Sequence, residues 1–203
     1  MDLKKLKDSE NSFESVIDRL TLEQLDTYLF RYKGKNAGIL RIFGGQVIAQ
    51  AYIAANETVS DDMQIHSLHA YFLRPGVIKQ PVLFSVDPVR DGKSFFTRTV
   101  KAIQNNEIIF TMTVSFQKEE GGITHSIEMP KVPDPDELKD EIQMREENIE
   151  LIPKELRKFF MKKREYTIKV VEWNDVFDPK PMAPIRNVSV SYTHLTLPTT
   201  PYV

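Results

Sequence analysis

Residues 46–57, QVIAQAYIAANE, constrain the fold more than any other stretch of this chain. The run has no Gly or Pro and is rich in strong helix formers, so it predicts a helix. Val47, Ile48, Ala51, Tyr52 and Ala55 make one broad apolar face, Ala49, Ile53 and Ala54 widen it, and only Gln46, Gln50 and Glu57 share a polar stripe. A helix so apolar around its girth has to be enclosed, and its alanines let a sheet pack closely around it. The next residues supply strands. Segments 64–74, 82–90, 94–104 and 107–117 read as strands, separated by the turn pairs Pro75-Gly76, Asp91-Gly92 and Asn105-Asn106. In the last, Ile108, Phe110, Met112, Val114 and Phe116 alternate with Glu107, Thr111, Thr113, Ser115 and Gln117, the period of a strand with one buried face. One enclosed helix followed by an antiparallel meander is an α+β layout.

The flanks are read by the same rules. Phe13, Val16, Ile17 and Leu20 repeat at helical spacing behind Ser12, a cap, and predict a short N-terminal helix. Residues 22–32 favour a strand, and residues 39–43 read as a short strand ended by Gly44 and Gly45. The run MPKVPDPD at 129–136 is a Pro-rich linker, followed by a charged, helical stretch to about residue 163. A strand signal at 166–173 and a Pro-rich turn then open a second unit. From Ser189 the sequence SVSYTHLTLPTTPYV has four Thr, no charge and no strand period, and is expected to be foreign to the native protein, as translated adapter sequence would be. The expected division is a first domain at 13–128, a linker at 129–163, the start of a second domain at 164–188 and the tail at 189–203.

Composition removes several function classes. With 203 residues the chain is long enough for a core, and its 41% apolar and 28% charged residues are those of a globular protein. A formal net charge of −2, with Lys and Arg scattered among acids, gives no footprint for nucleic acid and no basic helix for a membrane surface. The absence of cysteine excludes disulfides, thiolate metal sites and a Cys nucleophile. The first residues, MDLKKLKDSENSFESV, lack a signal-peptide core, nothing later has the length of a membrane span, and the sequons at Asn56 and Asn187 are read as incidental.

Four motifs in order, FGGQVIAQA from Phe43, HSLHAYFLRPG from His66, DGKSF from Asp91 and IFTMTVSFQ from Ile109, resemble acyl-CoA thioesterase II, the family of the bacterial medium- and long-chain enzyme and its peroxisomal counterpart. The resemblance runs from about Phe13 to Val188. It implies two hot-dog folds in tandem, each an antiparallel sheet around a long helix, and hydrolysis of fatty acyl-CoA to free fatty acid and CoA without metal or organic cofactor. It also implies an intracellular protein, peroxisomal or cytoplasmic, that forms a homo-oligomer at full length. In that family an Asp, a Thr or Ser, and a Gln on the second hot dog hold the attacking water. No residue before Val188 matches them, so no catalytic residue is assigned and the chain is expected to be an incomplete, inactive form. The readings kept beside this one are a non-catalytic acyl-CoA-binding module and a hot-dog dehydratase or hydratase.

The substrate-binding candidates are Gly44, Gly45, Gln46 and His66. The first three stand at the strand-to-helix junction, where free backbone N–H groups and the positive end of the helix dipole suit the oxyanion of a thioester in hydrolysis. Read from the residues alone, two glycines there are first of all a tight turn, and it is the resemblance that favours the binding role. On a regular strand His66 shares its face with Leu68, Ala70 and Phe72, while His69 leaves the opposite face, so the pair cannot chelate one metal and no Cys or third His completes a set. A lone histidine on an apolar face is ordinarily a core residue. The family resemblance instead makes His66 an active-site contact and leaves His69 structural. Gly92-Lys93-Ser94 ends like a phosphate loop but lacks its first Gly, and no G-x-S-x-G elbow exists. The lysines of 154–163 read as a solvated face.

Overall fold

The structure is a computed structural model that describes residues 13–34, 41–161, 166–174 and 178–191. The backbone divides into two units, Ser15–Thr124, and Met1–Glu14 with His125–Val203.

The first unit is built on the helix that the sequence demands. Helix α1 (Phe13–Leu20) leads into strands β1 (Glu23–Asp26) and β2 (Leu29–Tyr32); α2 (Gly44–Asn56) follows, then β3 (Met63–Phe72), β4 (Val82–Asp91), β5 (Phe95–Gln104) and β6 (Glu107–Lys118). The strands form one antiparallel sheet in the order β1-β2-β4-β5-β6-β3, so β3 closes one edge. Ala51, Ala54 and Ala55 of α2 are fully enclosed and pack in one cluster with Phe84, Val100, Ala102, Met112, Val114 and Phe116. Alanine at these places lets helix and sheet approach without a void.

The turns follow their residues. Asn105 and Asn106 both have positive φ, 51° and 62°, and close the β5–β6 hairpin in two residues, the conformation for which Asn is favoured among residues with a side chain. Arg98 is 1% exposed on the inner face of β5. Its guanidinium donates to the Thr58 hydroxyl and carbonyl just beyond the end of α2 at 2.9 and 3.0 Å, and to Asp91 at 2.6 Å. A cation there meets the negative end of the helix and the orphan carbonyls of its last turn.

Two expectations are corrected. Gly44 and Gly45 do not stand before the helix but form its first turn, with Phe43 at the N-cap making no side-chain cap bond. The strand expected at 39–43 lies partly outside the described residues; within them Arg41 forms an isolated bridge with Val77, and Ile42 and Phe43 run directly into α2.

In the second unit the segment 125–134 has no regular structure. The charged stretch after it is two short helices, α3 (Glu141–Glu147) and α4 (Lys154–Phe160), interrupted by a 3₁₀ turn at Ile149–Leu151. Asp140 caps α3 reciprocally with Gln143, and Pro153 opens α4. Strand β7 (Thr167–Val170) pairs antiparallel with β8 (Val188–Ser191), so Ser189, Val190 and Ser191, set aside in the sequence reading, are strand residues. The rest of the expected tail lies outside the described residues.

Candidate functional site

A bulge in β6 borders a cavity of the first unit. Ala102 stands opposite Phe110 and Ile103 opposite Ile108, so Ile109 is an extra residue in the strand. A bulge re-aims side chains, and here Ile109 and Phe110, adjacent in sequence, both line the same cavity. The Ile109 carbonyl, freed from the ladder, accepts the N–H groups of Leu73 and Arg74 at 2.9 and 3.1 Å and anchors the chain leaving β3. That loop is fixed again at Ile42, whose N–H donates to the Gly76 carbonyl at 2.9 Å. Gly76 is closely packed: a Cβ on it would stand 3.0 Å from the Cδ1 of Ile42 and 3.1 Å from the Cδ1 of Ile109, so those side-chain tips would have to give way by a few tenths of an ångström. Gln104, 5% exposed, completes the frame by accepting from the Val77 N–H and donating to the Val77 carbonyl, both at 2.8 Å. Gln104 has one signal in the sequence, an amide at the buried end of an apolar strand.

The cavity holds about 390 Å³ and is lined by Ile42, Val47, Phe72, Ile109 and Phe110, with Arg41 and Arg74 also on its wall. Phe72 lies against Phe110, with ring centroids 5.0 Å apart, and against Gly44, where a Cβ would come within 3.0 Å of its ring. Arg74 donates to the Ile108 carbonyl at 2.8 Å and lies 3.5 Å from Glu107.

Of the four candidates, Gly44 lines this cavity and the other three do not. The Gln46 N–H is taken by the Phe43 carbonyl at 3.0 Å, which leaves Gly44 and Gly45 as the N–H groups of the first turn outside the helix ladder. The Gln46 side chain is different: its Nε2 is buried without an acceptor among the described residues, as is Gln50 Oε1 one turn on without a donor. Gln50 is wholly enclosed, and its Nε2 donates to the Arg19 carbonyl of α1. His66 corrects the expected face. Ile65 pairs with Phe116 but Ser67 with Ser115, a second bulge that breaks the alternation at His66. His66 therefore leaves the face of Leu68, Ala70 and Phe72, and its Nε2 meets Ser115 Oγ at 2.9 Å on the outer side of the sheet, where His69 pairs with Thr113. His66 is exposed and edge-on to Phe95. No other hydrogen-bond partner orients it among the described residues, so the His66–Ser115 pair lacks the third member of a nucleophilic triad. Among the described residues no group of three or more His, Asp or Glu could hold a metal ion.

A sheet in this order wrapped around one enclosed helix is the hot-dog fold, and solved structures bear the likeness out. Acyl-CoA thioesterase II TesB2 from Mycobacterium marinum superposes with a TM-score of 0.64 at 31% identity, over 88% of this chain and 58% of that one. Residues 34–117 match the family described as "Acyl-CoA thioesterase N-terminal domain". Acyl-CoA thioesterase 2 of Haemophilus influenzae is 36% identical over 164 residues, 81% of this chain and 57% of its own length. Human acyl-coenzyme A thioesterase 8 is 46% identical over 122 residues, 60% of this chain and 38% of its own. The chain thus spans about half the length, or less, of these relatives.

Proposed function

We propose that this chain is the first half of an enzyme that hydrolyses fatty acyl-CoA, water and the thioester giving a fatty acid carboxylate, a proton and the CoA thiol. The match of residues 34–117 to the family's N-terminal domain carries the reading. In it the start of α2 receives the thioester carbonyl. Preorganised N–H groups stabilise the oxyanion of a tetrahedral intermediate, and those of Gly44 and Gly45 are outside the helix ladder. The unpartnered Gln46 Nε2 is a further donor for the substrate. His66, on the outer side of edge strand β3, meets substrate only where a second hot dog adds to that edge. The water-activating Asp, Thr or Ser, and Gln belong to that second hot dog, and residues 34–117 supply the binding side of the site. No described helix is long and apolar enough to cross a membrane, and the proposed location is peroxisomal or cytoplasmic.

The same reading explains β3. Leu68 and Phe72 pair across the strand with Val114 and Phe110, which are buried, yet are themselves 43% and 56% exposed. Tyr71 and Leu73 beside them are 61% and 50% exposed. An apolar edge of this kind is covered in a working protein, here by the second hot dog and, in the complete enzyme, by further copies.

The test joins the second half of the Haemophilus influenzae relative after Val188 and follows CoA release from a long-chain acyl-CoA. The joined protein is expected to turn over, and residues 1–203 alone to be slower by about 10²- to 10⁴-fold, the usual contribution of a positioned general base or water site. Equal rates would show that the first half carries its own catalytic apparatus. Hydration of an enoyl-CoA by a joined protein that releases no CoA would make it a hydratase, and ligand binding without either reaction would make it a binding module.

A further inference from the structure

Arg41 and Arg74 are the part of the cavity that thioester hydrolysis leaves without a task. The wall around them is apolar, formed by Ile42, Val47, Phe72 and Ile109. Among the described residues Arg41 has no hydrogen-bond or ion-pair partner, while Arg74 is shared with Glu107 and the Ile108 carbonyl. Two guanidinium groups against one carboxylate leave this rim net positive. An acyl thioester carries no charge where its alkyl chain ends, and the phosphates of CoA lie a whole pantetheine arm farther on. A fatty acid has its negative charge on the carboxyl group that ends the chain, and guanidinium–carboxylate pairing is a strong, bidentate match for such a rim.

We propose that this cavity holds the free fatty acid as its carboxylate, with the alkyl chain against Val47, Phe72 and Ile109 and the carboxylate on Arg41 and Arg74. The first hot dog then retains the acid after CoA has gone, and acid accumulation occupies the site. A volume of about 390 Å³ is that of a small-molecule site. The source of the acid rests on the thioesterase reading; the binding itself needs no turnover.

Calorimetric titration of the 203-residue chain with decanoate, decanol and CoA alone tests it. Decanoate is expected to bind, with affinity rising roughly fourfold for each CH₂ added until the chain outgrows the cavity. Decanol should bind about tenfold more weakly. Arg41→Gln and Arg74→Gln should each weaken decanoate about tenfold and leave decanol unchanged. On the unaltered chain, added salt should weaken decanoate and spare decanol. Equal affinity for acid and alcohol, unchanged decanoate binding in both variants, or displacement of decanoate by CoA alone would overturn the inference, the last by giving the guanidinium groups to phosphate. CoA release by the joined protein without decanoate binding would sink this inference and spare the thioesterase reading. Decanoate binding without CoA release would do the reverse.

Discussion

Arg98 shows how one side chain can tie two parts of the sheet interior together. Its guanidinium donates to the Thr58 carbonyl and hydroxyl, to the Arg90 carbonyl and to Asp91, and its carbon lies 5.5 Å from the centre of the Phe96 ring. Arg98→Met keeps much of the apolar stem but leaves those carbonyls without a donor. Because Asp91 is half exposed, the loss comes from orphaned acceptors rather than from a stranded buried charge. Urea denaturation should show about 2–3 kcal/mol of lost stability. A loss below about 0.5 kcal/mol would mean that water serves these carbonyls equally well. Period-2 reading of β5 puts Arg98 on the same face as Val100 and Ala102, so its enclosure was legible in the sequence; its partners at the end of α2 were not.

At the scale of elements, the β1–β2 hairpin contains the clearest titrating contact. Glu23 stands opposite Arg31 and accepts from its Nε and Nη2 at 2.9 and 2.6 Å, with Lys33 at 3.5 Å. The Arg31 hydrogen bond, followed by the fields of Arg31 and Lys33, holds the Glu23 carboxyl below its ordinary value of 4.5. A depressed folded pKa gives stability that is present above the unfolded value and lost as pH falls through the folded one. Glu23→Gln should therefore lower the urea midpoint at about pH 7 and make no difference at about pH 2, where both chains lack the charge. An equal deficit at both values would assign the effect to packing. The bulges at His66 and Ile109 belong to this scale too. Alternation along HSLHAYF placed His66 inward, and nothing in that string marks the extra residue that turns it to Ser115. A bulge is fixed by how two strands register over their whole length, which a local pattern does not contain.

For the whole molecule, the exposed edge of β3 predicts behaviour in solution. Light scattering over rising protein concentration should show self-association of the 203-residue chain, reduced by Tyr71→Lys, which puts a charge on the open strand. A chain that stays monomeric at every concentration would remove the case for a covered edge. The enclosed helix, the four long strands, their turn residues and the α+β layout were all determined by the sequence itself, because period, Gly/Pro/Asn placement and apolar count are local properties that folding leaves intact. Only the tertiary structure decided that Gly44 and Gly45 are helical, that His66 faces outward, and that Arg41, Val47, Phe72, Arg74 and Ile109, far apart in the chain, share one cavity. Those outcomes depend on strand register and on which backbone carbonyls remain to be paired once the sheet has closed around α2, and both are settled by contacts between distant residues.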